Sequence, residues 1–103
     1  QLSSQMYGIC EIHQMAIITG TDLNEFAITP TINDGSATSV TVTMPNNPSG
    51  STANFGGNTI GAGQSFTFNL NYGETAQFQG ASNSDDLNGA RIVANRQVAV
   101  FSG

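Results

Sequence analysis

The sequence predicts an all-β protein, an antiparallel β-sandwich of about seven or eight short strands that forms a single domain over residues 1–103. Three observations support this prediction. Apolar and polar residues alternate with a period of two in several short segments. Clusters of Gly, Asn and Pro separate these segments at regular intervals. No segment combines helical periodicity with a run of strong helix formers.

The individual strands follow from this alternation. We predict strands within residues 9–18, centred on the apolar run 15–18, and over 25–31, 38–44, 64–71 and 75–79, with an irregular edge segment over 54–60. Segment 38–44 alternates most clearly, because Val40, Val42 and Met44 share one face and hydroxyl side chains occupy the other. The expected core collects the inward residues of all strands: Phe26, Ile28, Val40, Val42, Phe66, Phe68, Leu70, Phe78, Ile92 and Val100.

The end of the chain predicts a central β-hairpin. Two apolar segments, residues 92–94 and 98–101, do not alternate strictly, which is typical of strands that are covered on both faces. The polar joint at 95–97 separates them, and Asn95 tolerates the left-handed backbone that a tight reversal needs. A second hairpin turn is predicted at residues 71–73, where Asn and Gly favour a reversal.

Charged residues are unusually scarce. They make up 9% of the chain, against about 25% in typical soluble domains; lysine is absent and the net charge is −5. Arg91 and Arg96 are too few to bind nucleic acid or an anionic membrane surface, so neither partner is expected. No apolar run approaches the ~20 residues of a membrane span. We expect the two arginines to pair at the surface with Asp85, Asp86 or Glu74.

Cys10 is the single cysteine and His13 the single histidine. Cys10 is either a buried free thiol or one half of an intermolecular disulfide, to a partner chain or to sequence outside this segment. In an extended strand the side chains of Cys10 and His13 point to opposite faces, and a zinc site would need ligands from another chain. No cofactor motif accompanies them. The sequence therefore indicates a protein that is not an enzyme and needs no cofactor.

Two acidic loops and one set of aromatic residues are alternative ligand sites. The pairs Asp85-Asp86 and Asn33-Asp34 could offer oxygen ligands to Ca²⁺, although turn formation alone explains both. Tyr7, Tyr72 and Phe55 could form an aromatic platform for sugars, although packing and turn roles are favoured for them.

The C-terminal stretch DLNGARIVANRQVAVFSG, residues 86–103, resembles the closing signature of the IgG Fc-binding protein N-terminal domain family. LNYGETAQFQ at 70–79 resembles that family's L-x-x-G-E-x-x-Q segment, and EFAITP at 25–30 and TSVTVT at 38–43 resemble two of its strands. The similarity spans about residues 16–103, with Gln97 standing where the family usually has proline. The resemblance implies an extracellular, non-catalytic domain of mucus-type glycoproteins and of secreted or surface proteins of microbes.

Two functional hypotheses follow. The first is a structural or adhesive module, a subunit or repeat of a surface fibre or secreted polymer, whose partners are other copies or neighbouring domains. The scarcity of charge supports it, because edge lysines are a common device against unwanted strand pairing. The alternative is a module that recognises a glycan or a protein such as immunoglobulin Fc. Both hypotheses place the protein in a secreted or cell-surface location. Since Gln1 follows no signal sequence, we expect a mature or excised segment of a longer protein.

Overall fold

The described part of the chain contains eight antiparallel strands. The computed structural model describes residues 10–14, 25–82 and 84–102, with side chains for 25–82 and 84–101. The strands are β1 (Cys10–Gln14), β2 (Glu25–Pro30), β3 (Thr38–Thr43), β4 (Ala53–Phe55), β5 (Asn58–Ile60), β6 (Ser65–Leu70), β7 (Ala76–Gly80) and β8 (Arg91–Ser102). The all-β antiparallel prediction is confirmed. The part of the chain that the structure describes contains no helix suited to crossing a membrane.

Strand β8 joins the two layers of the fold. The strands hydrogen-bond in the order β5-β4-β7-β2-β8-β3-β6, and β1 pairs with β8 as well. The first part of β8, from Arg91 to Ala94, pairs with β3. Its second part, from Val98 to Ser102, pairs with β2. The predicted pair of layers is therefore one continuous sheet that folds over along β8, and aromatic side chains of β6 pack against those of β4 and β7 across the interior.

The predicted hairpin at residues 95–97 is wrong, because β8 is a single strand of 12 residues. No non-glycine residue among those described has a positive φ, so Asn95 does not make the left-handed reversal. Its side-chain oxygen instead accepts a hydrogen bond from the Ser39 backbone N–H at 2.9 Å. The Gln97 carbonyl accepts one from the Thr31 N–H at 3.3 Å. The polar joint marks the place where β8 passes from one layer to the other.

The second predicted hairpin is also wrong, although its turn is confirmed. The Glu74 N–H donates to the Asn71 carbonyl at 3.0 Å, and Gly73 has φ 93°. However, β6 pairs with β3, whereas β7 pairs with β2 and β4. The turn therefore carries the chain between layers, since alternation specifies the buried face of a strand and not its neighbour.

The irregular segment at 54–60 is a regular hairpin of β4 and β5. Phe55 pairs with Asn58, so Gly56 and Gly57 form a two-residue turn. Gly56 alone of these two has a positive φ, at 57°, as the first central residue of a type II′ turn does. The hairpin forms one end of the sheet, with β4 pairing to β7.

The core matches most of the predicted set. Eight of the ten predicted residues are buried, whereas Phe66 and Phe68 are partly buried and pack against the cluster. The sequence prediction left out Leu87, which is fully buried although it lies in a loop. It also left out smaller or peripheral members of the core, namely Ala53, Ile60, Ala76, Ala90, Ala94 and Val98. The strand predicted at residues 15–18 lies outside the described residues.

Candidate functional site

Among the described strands, β6 presents an open edge. The strand order ends at β5, which has three residues, and at β6, which has six. The Met44 N–H donates to the Gln64 carbonyl at 2.8 Å, so these two residues form a hydrogen-bonded pair of the antiparallel β3–β6 ladder. Hydrogen-bonded and non-hydrogen-bonded pairs alternate along such a ladder, so the backbone N–H and C=O groups of Ser65, Thr67 and Asn69 point away from β3. Within the described ranges no strand pairs with this side of β6.

The solvent face beside this edge is polar and almost uncharged. The hydroxyls of Thr41 and Thr67 hydrogen-bond each other across β3 and β6 at 2.9 Å. Those of Thr43 and Ser65 do the same at 2.8 Å. Arg91 lies opposite Thr43 on the neighbouring strand. The hydroxyls are thus satisfied within the sheet, and the face offers a polar surface with little charge repulsion.

A small cleft lies between the loop after β2 and the turn after β6. It has a volume of about 230 Å³ and is lined by Asn33, Gly35, Ser36, Asn71 and Tyr72. Tyr72 is 52% exposed, and it is the one large hydrophobic side chain that is exposed in the described ranges. An aromatic ring held open beside amide and hydroxyl groups is a suitable setting for a small polar ligand with an apolar face.

An ion pair fixes the loop side of this cleft. Arg96 pairs with the Asp34 carboxylate and donates a second hydrogen bond to the Ser36 carbonyl at 3.1 Å. The Ser36 N–H donates to Asp34 at 3.1 Å, and the bond from Arg96 is the main cause that holds the pKa of Asp34 below its ordinary value. Arg96 therefore pairs with Asp34 and not, as predicted, with Asp85, Asp86 or Glu74. For Arg96 the prediction was wrong, because β8 brings this residue beside the loop that carries Asp34.

Asp85 ties two distant loops together. The carboxylate of this nearly buried residue accepts hydrogen bonds from the Thr52 N–H at 2.9 Å and from the Ser82 hydroxyl at 2.8 Å. The bond from Thr52 is the larger cause that lowers the pKa of Asp85, while burial opposes it. Asp86 completes the tie, because its N–H donates to the Gly50 carbonyl at 2.8 Å.

The same contacts bear on the calcium alternative. Each carboxylate oxygen of Asp85 already accepts a bond from the protein, and an oxygen of Asp86 accepts one from the Asn88 N–H at 2.9 Å. No group of three or more His, Cys, Asp or Glu residues that could hold a metal occurs among the residues described. The hydrogen bonds of Asp85 and Asp86 agree with the turn role that the sequence favours for this acidic loop.

A protein-family model matches most of the chain. A model of the family described as IgGFc binding protein matches residues 11–103, from β1 to the end of the chain. The chain belongs to this family. Searches of curated proteins and of solved structures each found no match. The IgGFc-binding family is non-enzymatic and typically extracellular, so membership indicates an extracellular binding or structural module.

The remaining predicted site residues of this IgGFc-binding domain are distributed as follows. Cys10 and His13 belong to β1, opposite Val98 and Ile92 of β8. Their side chains lie outside the described part, as does Tyr7, so the thiol or disulfide at Cys10 stays a prediction. Phe55 is not part of a sugar platform, because its ring stacks on Phe78 in the interior with centroids 4.5 Å apart.

The sequence analysis did not bring the loop residues of this cleft together with Tyr72. Asn33 was noted only as a turn residue or a calcium ligand, and its proximity to Tyr72 follows from the layer crossing at residues 71–73. Sequence offered one usable signal, an aromatic residue inside an Asn-x-Gly turn. A tyrosine at the tip of a turn seldom finds a core to enter.

Proposed function

We propose that the chain is a non-catalytic extracellular structural or adhesive module that works as a subunit or repeat of a surface fibre or secreted polymer. Neighbouring copies associate through the edge of β6. The observation that carries the proposal is this open, six-residue edge, whose sequence SFTFNL contains neither a charge nor a proline. Natural edge strands are usually protected by lysine, proline, bulges or shortness. The other end of the strand order, β5, is protected by its length of three residues.

Two β6 strands fit each other in an antiparallel pair centred on Thr67. Ser65 of one copy then lies opposite Asn69 of the other, and no like charges meet. The outward N–H and C=O groups of these residues could form up to about six main-chain hydrogen bonds between the copies. Strand addition of this kind is an established mode of recognition.

The strength of this association depends on how the copies are linked. One pair of short edges buries less than the ~1,000 Å² of a stable specific interface. Isolated copies therefore associate weakly, in the micromolar to millimolar range, whereas copies held in one polymer gain from a high effective concentration. This expectation sets the concentrations that the experiment must cover.

Sedimentation of the purified protein over a wide concentration range tests the proposal. The wild type should associate as its concentration rises, and Thr67→Lys should lower or abolish this association by placing two ammonium groups opposite each other. Thr59→Lys is the matched control, because it adds the same charge at an exposed position of the other edge strand. Thermal melting confirms that both variants fold. A wild type that stays monomeric at every concentration, or equal association of the two variants, would contradict the proposal.

The alternative function, recognition of a glycan or a protein ligand, is favoured by the cleft at Tyr72. The name of the matching family points to immunoglobulin Fc, and we extend that name to this chain only as a hypothesis. Measuring the binding of purified Fc to wild type and to a Tyr72→Ala variant tests it. Fc binding that is lost in the variant would support a recognition module, and the absence of binding would remove Fc as the ligand.

A further inference from the structure

We propose that the cleft between residues 33–36 and 71–72 binds one neutral sugar residue of a glycan. The proposal does not depend on association through β6. The ring of Tyr72 would stack on the apolar C–H face of the sugar, while the Asn33 and Asn71 amides and the Ser36 hydroxyl bind its hydroxyl groups. All four side chains line the cleft.

Tyr72 is exposed in a way that a large ring seldom is. The other large apolar side chains in the described ranges are buried or half-buried, yet this ring is 52% exposed. Tyrosine offers a flat apolar face and one polar group at its edge, which is why it is enriched at recognition surfaces. A sugar ring has the complementary pattern, with C–H groups on a face and hydroxyls around its rim.

The polar groups of the cleft are available for a ligand. An amide offers two donors and an acceptor with two lone pairs, and a hydroxyl offers both functions. Among the described residues, the side-chain amides of Asn33 and Asn71 and the Ser36 hydroxyl hydrogen-bond to no protein group. Sugar hydroxyls both donate and accept, so mixed donors and acceptors suit them better than they suit an ion.

The walls of the cleft are fixed before any ligand arrives. Arg96 holds the loop through Asp34 and the Ser36 carbonyl. On the other side the Glu74 carboxylate accepts from the Asn71 N–H at 2.7 Å, and the Thr29 hydroxyl donates to the Glu74 carbonyl at 3.2 Å. Apart from the Arg96–Asp34 ion pair, each of these bonds involves a backbone group, and none uses the side chain of a lining residue. A site that is already ordered loses less entropy on binding.

Size and charge select the class of ligand. The volume of about 230 Å³ is smaller than the ~300–1,000 Å³ of pockets that enclose drug-sized ligands, so one sugar ring fits. None of the lining residues is charged, Arg96 already neutralises the nearby Asp34, and the chain carries a net charge of −5. An acidic sugar would meet no free cation in the cleft. Neutral sugars are therefore preferred.

Ligand-observed NMR with free galactose, N-acetylglucosamine, mannose and fucose tests the proposal, with N-acetylneuraminic acid as the acidic probe. We expect at least one neutral sugar to bind with a dissociation constant near the millimolar range, as is usual for a single small contact. Tyr72→Ala should weaken it by about tenfold or more, and Tyr72→Phe should restore most of this loss because it keeps the ring.

The controls separate the cleft from the rest of the surface. Asn71→Ala should weaken binding, whereas Asn46→Ala removes the same group from an exposed position outside the cleft and should leave it unchanged. Thr67→Lys should bind the sugar like the wild type. A loss of self-association can then be distinguished from a loss of sugar binding at the cleft. Equal binding by wild type and Tyr72→Ala, tighter binding of the acidic sugar, or no binding of any neutral sugar would overturn the proposal.

Discussion

Replacing Asp85 by alanine should be among the most damaging polar substitutions in this domain. The carboxylate accepts bonds from the Thr52 N–H and the Ser82 hydroxyl while only 8% of the residue is exposed. Hydrogen bonds to a charged group contribute about 1.5–3 kcal/mol each, and the bond to the exposed Ser82 lies at the lower end. We expect Asp85→Ala to lower the free energy of unfolding by about 3 kcal/mol, out of the ~5–15 kcal/mol that a domain has.

Urea denaturation at neutral pH measures this loss, and thermal melting should show a drop of roughly 12–24 °C, since each kcal/mol shifts the midpoint by about 4–8 °C in a domain of this size. Asp86→Ala is the matched control. The Asp86 carboxylate accepts a bond from the N–H two residues on, so we expect it to contribute about 1 kcal/mol or less. Losses of equal size for the two variants would refute the assignment of Asp85 as the tie between the loops.

The pH dependence gives the prediction a second test. The pKa of Asp85 is lowered from 3.8 in the folded state, chiefly by the bond from Thr52. The ionised carboxylate therefore contributes its full stability above pH 3.8, and this contribution is lost as the pH falls through the lower folded value. The difference between the wild type and Asp85→Ala should be constant near neutrality and should shrink in acid below pH 3.8. If the stability difference between the two proteins grew in acid, the lowered pKa of Asp85 would be contradicted.

Two further predictions test the loop junction and the edge. Gly50→Ala should cost more stability than Gly73→Ala. Both glycines have a positive φ, but a Cβ at position 50 would lie 2.7 Å from the Asp85 carboxylate, whereas nothing lies within 4 Å of a Cβ at position 73. Chemical denaturation of both variants measures the difference, and equal losses would contradict the prediction. Thr67→Pro should fold with a modest loss of stability, because the Thr67 N–H points away from β3. Thr41→Pro should lower the free energy of unfolding by ~3 kcal/mol or more, because Thr41 is paired on both sides. Circular dichroism and thermal melting measure both variants, and equal behaviour would contradict the assignment of β6 as an edge.

The sequence was most informative about strands that have one face in the core and the other face toward solvent. Strand β3 follows the predicted alternation closely, since Val40 and Val42 are buried and the residues between them are half-buried. The same pattern located β6 and β7 within one or two residues. Alternation reports which face a strand buries, and in these strands that face is the same whichever strands lie beside it.

The sequence was least informative about which strands pair. The apolar segments 92–94 and 98–101 do not alternate because β8 lies in the middle of the sheet, and this was predicted correctly. Two apolar segments separated by a polar joint have the same sequence pattern in a hairpin of two strands and in one strand that passes between layers. Whether the strand reverses or continues depends on partners elsewhere in the chain. The Ser39 and Thr31 N–H groups donate hydrogen bonds to residues 95 and 97 of the polar joint. Such partners are more than fifty residues distant in sequence.

The cleft and the edge adjoin each other in the chain, and this has a consequence for any assembly. Strand β6 ends at Leu70, and the turn that carries Asn71 and Tyr72 follows at once. If copies associate through β6, each copy presents its cleft at a fixed distance from the shared edge. A single millimolar sugar site is too weak to hold a surface, but an array of such sites can raise avidity by about 10²–10⁴ without any new contact. We therefore expect assembled wild type to bind a multivalent neutral glycan more tightly than Thr67→Lys does, even though both bind the free sugar equally. Equal binding of the multivalent glycan would mean that the edge and the cleft act independently.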